Sequence, residues 1–176
     1  EASGVQALAS QNKAFLVVHE AGTLGKGADV IDYSKILKDG VGVKVDGGGG
    51  NDKIIATNEK DDIRGGDGDD KLYGLDGNDT IRGEKGDDYI AGGAGNDFLG
   101  GHEGDDNIYG GAGKDVIYGD DGDDALRGGA DDDRLHGGKG DDTLQGQGGN
   151  DLLYGDDGND HLDGGANNDT LEGGAG

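Results

Sequence analysis

The fold of this chain is decided by a nine-residue pattern, which residues 92–100 show as GGAGNDFLG and residues 101–109 show as GHEGDDNIY. The pattern begins at Gly47 and runs without insertion or deletion to Glu172, which makes fourteen units. A fifteenth unit opens at residue 173 and stops at residue 176. Self-similarity at a short fixed period indicates a repeat architecture, in which each unit stacks on its neighbours.

Some positions of the unit hardly vary. Position 8 is Ile or Leu in all fourteen units, position 1 is Gly in thirteen, position 4 is Gly in eleven, and position 5 is Asp or Asn in twelve. Position 6 is Asp in every unit. The candidate metal ligands are therefore Asp52, Asp61, Asp70, Asp79, Asp88, Asp97, Asp106, Asp115, Asp124, Asp133, Asp142, Asp151, Asp160 and Asp169.

Each of these positions has a physical interpretation. Gly at positions 1 and 4 permits positive φ, so the first six residues are predicted to form a tight turn. Asp and Asn at position 5 tolerate left-handed backbone better than other residues do. Positions 7 to 9 then form a three-residue strand, whose middle side chain points into the core and whose neighbours point to water.

A turn and a strand make half a coil, so two units make a coil of eighteen residues. Odd-numbered units place one row of side chains, Ile54 to Leu162, in one sheet, and even-numbered units place another, Ile63 to Leu171, in the second. The predicted fold is all-β: a right-handed parallel β-roll, or β-solenoid, with two short parallel sheets. Fourteen units give seven coils, or roughly 34 Å at about 4.8 Å per coil.

Composition shows what must hold such a chain together. It contains 43 Gly and no Cys, and acids outnumber bases 39 to 15, for a formal charge of −24. With so few apolar residues and so much like charge, the chain resembles a disordered one unless a cation orders it. The charge disfavours nucleic acid as a partner, and the absence of a run of about 18 apolar residues predicts no membrane span.

Stacked coils bring position 6 of each unit close to position 6 of the unit eighteen residues on, which gives twelve pairs, from Asp52–Asp70 to Asp151–Asp169. Paired carboxylates need a cation between them. Calcium takes six to eight hard oxygens in flexible geometry, whereas magnesium demands stricter geometry. Zinc is disfavoured, because there is no Cys and the four His share no position of the unit. We expect Ca²⁺ as the cofactor, at about 8–12 ions.

These units resemble the repeats-in-toxin (RTX) family, the hemolysin-type calcium-binding repeats, whose pattern is G-G-x-G-x-D-x-U-x with U large and apolar. Residues 92–99 and 137–144 match that pattern fully. The resemblance implies secretion by a Gram-negative bacterium, with type I secretion machinery as a partner during export. Proteins of this family cross the export channel unfolded and fold afterwards in extracellular calcium. The proteins that contain such repeats include toxins, proteases, lipases, epimerases, surface-layer proteins and adhesins.

Two functions remain open at this point. The chain is either a calcium-induced folding module of a secreted toxin or hydrolase, or an adhesin, surface-layer or polysaccharide-binding module that contacts a cell surface or a polysaccharide. We expect no catalytic residues, because twelve equivalent carboxylate pairs do not resemble one active site. Tyr73, Tyr109, Tyr118 and Tyr154 all occupy position 9. They form either packing on the sheet surface or a carbohydrate platform.

Residues 1–46 do not repeat and are expected to be an N-terminal cap or flanking β segment, followed by the β-roll at 47–176. The segments 14–18 and 41–45 have the apolar character of strands, and 27–34 resembles segments that flank the repeats in the family. A solenoid needs its open end covered. The alternative is that residues 1–46 are the tail of an upstream domain.

Overall fold

The computed structural model describes residues 15–17, 25–35 and 40–176, and the rest of the chain lies outside this description. Within the described residues, the regular structure consists of seventeen short strands and one 3₁₀ turn at Tyr33–Lys35. The predicted all-β class is therefore confirmed.

The strands form two parallel sheets, and each sheet takes every second strand of the chain. The first sheet contains β1 (Phe15–Val17), β3 (Gly42–Gly49), β5 (Asp62–Asp67), β7 (Thr80–Lys85), β9 (Phe98–Glu103), β11 (Val116–Asp121), β13 (Arg134–Lys139), β15 (Leu152–Asp157) and β17 (Thr170–Glu172). The second sheet contains β2 (Val30–Asp32), β4 (Lys53–Ile55), β6 (Lys71–Asp76), β8 (Tyr89–Ala94), β10 (Asn107–Ala112), β12 (Ala125–Ala130), β14 (Thr143–Gly148) and β16 (His161–Ala166).

The register of these sheets follows the sequence repeat, since two units make one coil. Ile63 pairs with Ile81 in the first sheet, and Ile108 pairs with Leu126 in the second, so neighbouring strands from β3 onward are offset by eighteen residues. All the pairings are parallel, because the chain returns to a sheet only after passing through the other one. The predicted parallel β-roll of about seven coils is confirmed.

The core is a thin layer between the sheets, built from position 8 of each unit. From Ile54 to Leu153, all twelve of these side chains have no solvent exposure. Leu162 is partly buried against them, and Leu171, in the last strand, is 44% exposed. The prediction that position 8 supplies the core is confirmed, with burial that decreases at the last coil.

The strands are longer than the three residues expected from the sequence. A typical strand such as β7 has six residues, which cover positions 7 to 9 of one unit and positions 1 to 3 of the next. Both position 8 and the following position 1 face inward, as the burial of Ile81 and Gly83 shows. The expected length was wrong because position 1 continues the inward–outward alternation of the strand rather than starting the turn.

Positive φ occurs at positions 2 and 4 of thirteen units, rather than at positions 1 and 4, and position 5 does not adopt it. Position 2 does so even where it is not Gly, as at Leu75, Glu84 and His102, with φ of 82° to 85°. Such residues cost about 1–3 kcal/mol each. Ladder bonds between coils hold the turn, for example from Gly68 N–H to the Lys85 carbonyl at 2.7 Å. The expectations for positions 1 and 5 were wrong.

The described residues before Gly47 continue both sheets. Ile31 in β2 pairs with Ile54, and Val45 in β3 pairs with Ile63. Buried and exposed residues alternate along the start of β3, as expected for a half-exposed strand. The strand predicted at 14–18 corresponds to β1, although residues 14 and 18 lie outside the described part. The role of residues 1–46 as a cap stays a prediction.

Candidate metal centre

The turns that join the sheets carry the fourteen position-6 aspartates, seven at each edge of the roll. The Asp52 column lies in turns that lead from the first sheet to the second: Asp52, Asp70, Asp88, Asp106, Asp124, Asp142 and Asp160. The Asp61 column lies in turns that lead from the second sheet to the first: Asp61, Asp79, Asp97, Asp115, Asp133, Asp151 and Asp169.

A chain of hydrogen bonds links the members of each column. The backbone N–H of Asp70 donates to Oδ1 of Asp88 at 2.7 Å, and that of Asp88 donates to Oδ1 of Asp106 at 2.8 Å. The same bond joins all twelve predicted pairs at 2.7–3.0 Å. Each carboxylate therefore reaches back to the preceding coil, and the structure brings together every residue that the sequence nominated.

Only one oxygen of each carboxylate is satisfied in this way. The twelve aspartates from Asp52 to Asp151 are at most 3% exposed. Burial of an ionised oxygen without a partner is strongly unfavourable, so an unpartnered Oδ2 atom needs a proton or a cation. The Oδ2 atom has no hydrogen-bond partner in Asp52, Asp70, Asp79, Asp88, Asp97, Asp106, Asp115, Asp124, Asp133, Asp142, Asp151 and Asp160.

The pKa values of these carboxyls reflect the cost of burying their charge. Burial raises the pKa of Asp106 to about 8, that of Asp79 to about 7 and that of Asp70 to about 6. In each case the donated backbone N–H opposes the rise, and the carboxylates of neighbouring coils add to it. The turns therefore disfavour the negative form of these carboxyls unless a cation neutralises it.

Position 1 is Gly because the carboxylate fills the place of a side chain. A Cβ on Gly83 would overlap Oδ2 of Asp88 and lie 2.9 Å from the carbonyl oxygen of Gly101, in the next coil. Each of the thirteen position-1 glycines from Gly47 to Gly164 meets its Asp in this way. Gly at this position leaves open the space where a carboxylate oxygen and a backbone carbonyl of the following coil converge.

The carboxylate and carbonyl oxygens of these turns are suitable ligands for calcium. No group of three or more His, Cys, Asp or Glu that could hold a metal is found among the described residues. A site in these turns would therefore combine carboxylates from successive coils, such as Asp88 and Asp106, with backbone carbonyls such as that of Gly101. All of these ligands are hard oxygens, which calcium accepts in flexible geometry.

Position 5 has a role that the sequence did not show. The backbone N–H of Asp105 donates to Oδ1 of Asp87 at 3.0 Å, and that of Asn96 donates to Oδ1 of Asn78 at 2.8 Å. These bonds form an exposed ladder outside the buried columns. Asp and Asn are interchangeable here because each offers the carbonyl-type oxygen that the ladder needs.

Asp61 differs from every other member of the columns. Its Oδ2 accepts the backbone N–H of Thr57 at 2.9 Å, and the Thr57 hydroxyl lies 3.0 Å from both carboxylate oxygens. Its Oδ1 also accepts the backbone N–H of Val43. This unit has Ala56 at position 1, and neither Thr57 nor Glu59 has positive φ. Its turn is therefore built differently from the other thirteen.

Aromatic rows follow the outer faces of both sheets. Tyr89 contacts Tyr73 and Tyr109, with ring centroids 5.6 and 5.4 Å apart. On the other sheet, the His136 ring is stacked between Tyr118 and Tyr154 at 4.9 and 4.6 Å. The rings pack against one another across neighbouring strands, which is the sheet-surface packing that the sequence allowed.

Two columns of buried, stacked aspartates at the edges of a two-sheet solenoid define the chain as a metal-binding β-roll. A family model described as the RTX calcium-binding nonapeptide repeat (4 copies) matches residues 46–81, 64–99, 100–135, 127–162 and 145–176. The chain belongs to this family, and its repeats bind calcium. No curated protein matches the chain. No helix among the described residues is long and apolar enough to cross a membrane.

Proposed function

We propose that this chain is the calcium-dependent folding module of a secreted bacterial protein, a toxin or a hydrolase that is exported unfolded by a type I route. The observation that carries the proposal is the set of twelve buried Oδ2 atoms without partners. Membership of the family supports the export route, since RTX repeats are typical of secreted bacterial proteins.

The position-6 aspartates would supply the switch. Where calcium is scarce, repulsion within each column and the desolvation of its carboxylates oppose stacking of the coils. Once the charges are neutralised, the same carboxylates link each coil to the next. Binding and folding are then one event, as in other small metal-dependent domains. Each aspartate in the interior of a column faces two neighbours, so the coils are expected to order together.

The proposal assigns no catalytic step to these residues. Apart from Asp61, the buried aspartates of each column share the same pattern of contacts, as the repeated bond to the next Oδ1 illustrates for Asp88 and Asp106. A catalytic acid–base pair needs two groups whose environments differ. If the parent protein is an enzyme, we place its active site in another domain.

Circular dichroism in chelator and in millimolar calcium tests the proposal. We expect a spectrum of coil in chelator at pH 8 and of β-structure in calcium, with a midpoint near 0.1–1 mM, the usual range for extracellular calcium modules. Magnesium at the same concentration is the control, because its stricter geometry fits these turns poorly. Equal β-structure in chelator and in calcium would refute a folding switch.

A further inference from the structure

Residues 25–32 precede the region that the family model matches, which starts at residue 46, yet they behave as one more repeat. The backbone N–H of Lys53 donates to the Asp29 carbonyl at 2.8 Å, just as that of Lys71 donates to the Asp52 carbonyl at 2.8 Å. Ile31 pairs with Ile54 and packs against the core. Asp29 and Ile31 therefore occupy positions 6 and 8 of a further unit.

The turn of this unit stacks as the other turns do. The backbone N–H of Asp29 donates to Oδ1 of Asp52 at 2.7 Å, and that of Asp52 donates to Oδ1 of Asp70 at 2.7 Å. The backbone of Gly27 lies against the α-carbon of Gly50, in the place that Gly50 takes against Gly68. Asp29 thus extends the Asp52 column by one residue.

A second observation indicates that this position holds a ligand. Asp52 is only 2% exposed, its side chain reaches back to the coil of Asp29, and its Oδ2 has no hydrogen-bond partner. The buried Asp52 carboxylate therefore contacts the turn of Asp29 through Oδ1, and its Oδ2 is unsatisfied.

We propose that Asp29 and Asp52 form a calcium site at the start of the Asp52 column, outside the region that the family model matches. The site rests on the proposed function, because it uses the same cation and the same hydrogen bond between stacked position-6 residues. The Asp29-to-Asp52 spacing is 23 residues instead of eighteen, which removes this unit from the sequence period. The first half-coil would then be ordered by calcium like the rest.

The test compares Asp29→Asn with the full parent chain. Asn keeps the backbone N–H that donates to Asp52 and removes one charged ligand. We expect the variant to bind one calcium ion fewer by equilibrium dialysis, and peptides covering 25–35 to lose calcium-dependent protection from hydrogen exchange. Asp32→Asn is the matched control: it removes the same charge from a side chain that bonds Ser34 and Lys35 instead.

The outcomes separate this site from the proposed function. If the parent chain gains no strand structure in calcium, the proposed function fails. If the parent folds but Asp29→Asn binds as many ions and keeps its local protection, the Asp29 site alone is overturned. Circular dichroism at saturating calcium verifies that the variant folds. The other pairs of the column remain intact, so we expect it to do so.

A different observation carries a second inference at the other edge of the roll. The Asp61 carboxylate accepts bonds from the backbone N–H of Val43 and from both the N–H and the hydroxyl of Thr57. Both oxygens of this carboxylate therefore have hydrogen-bond partners, whereas the Oδ2 atoms of the other buried aspartates of the columns have none. We infer that Thr57 takes the place of an ion, so that Asp61 binds no calcium.

Calcium counts for Asp61→Asn and Asp97→Asn test this inference. We expect Asp97→Asn, in the interior of the same column, to lose two ions, and Asp61→Asn to lose none. We also expect Thr57→Ala to raise the calcium concentration needed for folding, because it removes the hydroxyl that bonds the buried Asp61 carboxylate. A loss of one or more ions in Asp61→Asn would overturn the inference, whatever Asp97→Asn shows.

Discussion

At the scale of single residues, every aspartate in the interior of a column is shared between two coils. Asp106 accepts the N–H of Asp88 and donates its own N–H to Asp124. We therefore expect Asp106→Asn to weaken two calcium sites, and the number of ions bound at saturation to fall by about two. Isothermal titration calorimetry and equilibrium dialysis measure that number.

The neighbouring residue supplies the control for this variant. Asp105→Asn removes the same charge from the exposed ladder and keeps the oxygen that accepts the N–H of Asp123. We expect its ion count to equal that of the parent chain. Equal losses in the two variants would mean that net charge, rather than the buried column, decides how many ions bind.

Gly at position 1 is expected to be as critical as the aspartates. In Gly83→Ala the new methyl would collide with Oδ2 of Asp88. The collision should destabilise the calcium-bound fold by about 1–3 kcal/mol, measured by urea denaturation in excess calcium. Gly100→Ala is the control, since the nearest atom to its Cβ would be 3.5 Å away, in the side chain of His102. A tolerated Gly83→Ala would contradict the packing argument.

At the scale of the strands, stability depends on the two rows of Ile and Leu. Ile108 has no solvent exposure, so Ile108→Ala should lower the free energy of unfolding by about 2–5 kcal/mol and raise the calcium midpoint of folding. Leu171→Ala, at a side chain 44% exposed, should have a much smaller effect. Equal effects of the two substitutions on urea denaturation in calcium would contradict the assignment of the core.

Much of this element-scale structure could be predicted from the sequence, because a thin core allows only one alternation of inward side chains. The two sheets, their rows from Ile54 and Ile63, and the offset of eighteen residues all follow from the period. Strand length did not follow. Gly at position 1 is compatible with a turn and with a strand, and only the position of the carboxylate of residues such as Asp88 separates the two.

The details of the turns were also beyond the sequence. Leu75 and His102 have positive φ although nothing in their chemistry favours it, because the stacked coils impose the conformation. Ala56 could be recognised as a break in the pattern at position 1, but the neighbouring Thr57 could not be recognised as a bonding partner of Asp61. Asp29 lay outside the period altogether. The sequence therefore predicted sites only where the nine-residue period holds.

At the scale of the whole molecule, the charge of the chain and its fold are coupled. The formal charge is −24, and twelve of the acids lie buried at the edges of the roll. A cation and a proton can each relieve this charge. The state without metal should therefore respond to pH, in a direction that the pKa values of the columns define.

The direction of the pH dependence follows from the burial of the carboxyls. The pKa of Asp is ordinarily 3.8, and burial raises it to about 6 in Asp142, about 7 in Asp88 and about 8 in Asp106. A carboxyl whose pKa is higher in the fold stabilises the fold when protonated. That contribution is complete below pH 3.8 and is lost as the pH rises through about 6 to 8. Protons also compete with calcium, so more calcium should be needed at low pH.

We therefore expect the strand content of the chain in chelator, measured by circular dichroism, to rise as the pH falls from 8 to 5. A triple variant with Asn at Asp88, Asp106 and Asp124 imitates the protonated column, and its profile should shift to higher pH. Asn at the exposed neighbours Asp87, Asp105 and Asp123 removes the same charge without relieving any buried oxygen, and should shift it less. Identical shifts would attribute the pH response to overall repulsion, and a flat profile in the parent chain would contradict coupling of the buried carboxyls to folding.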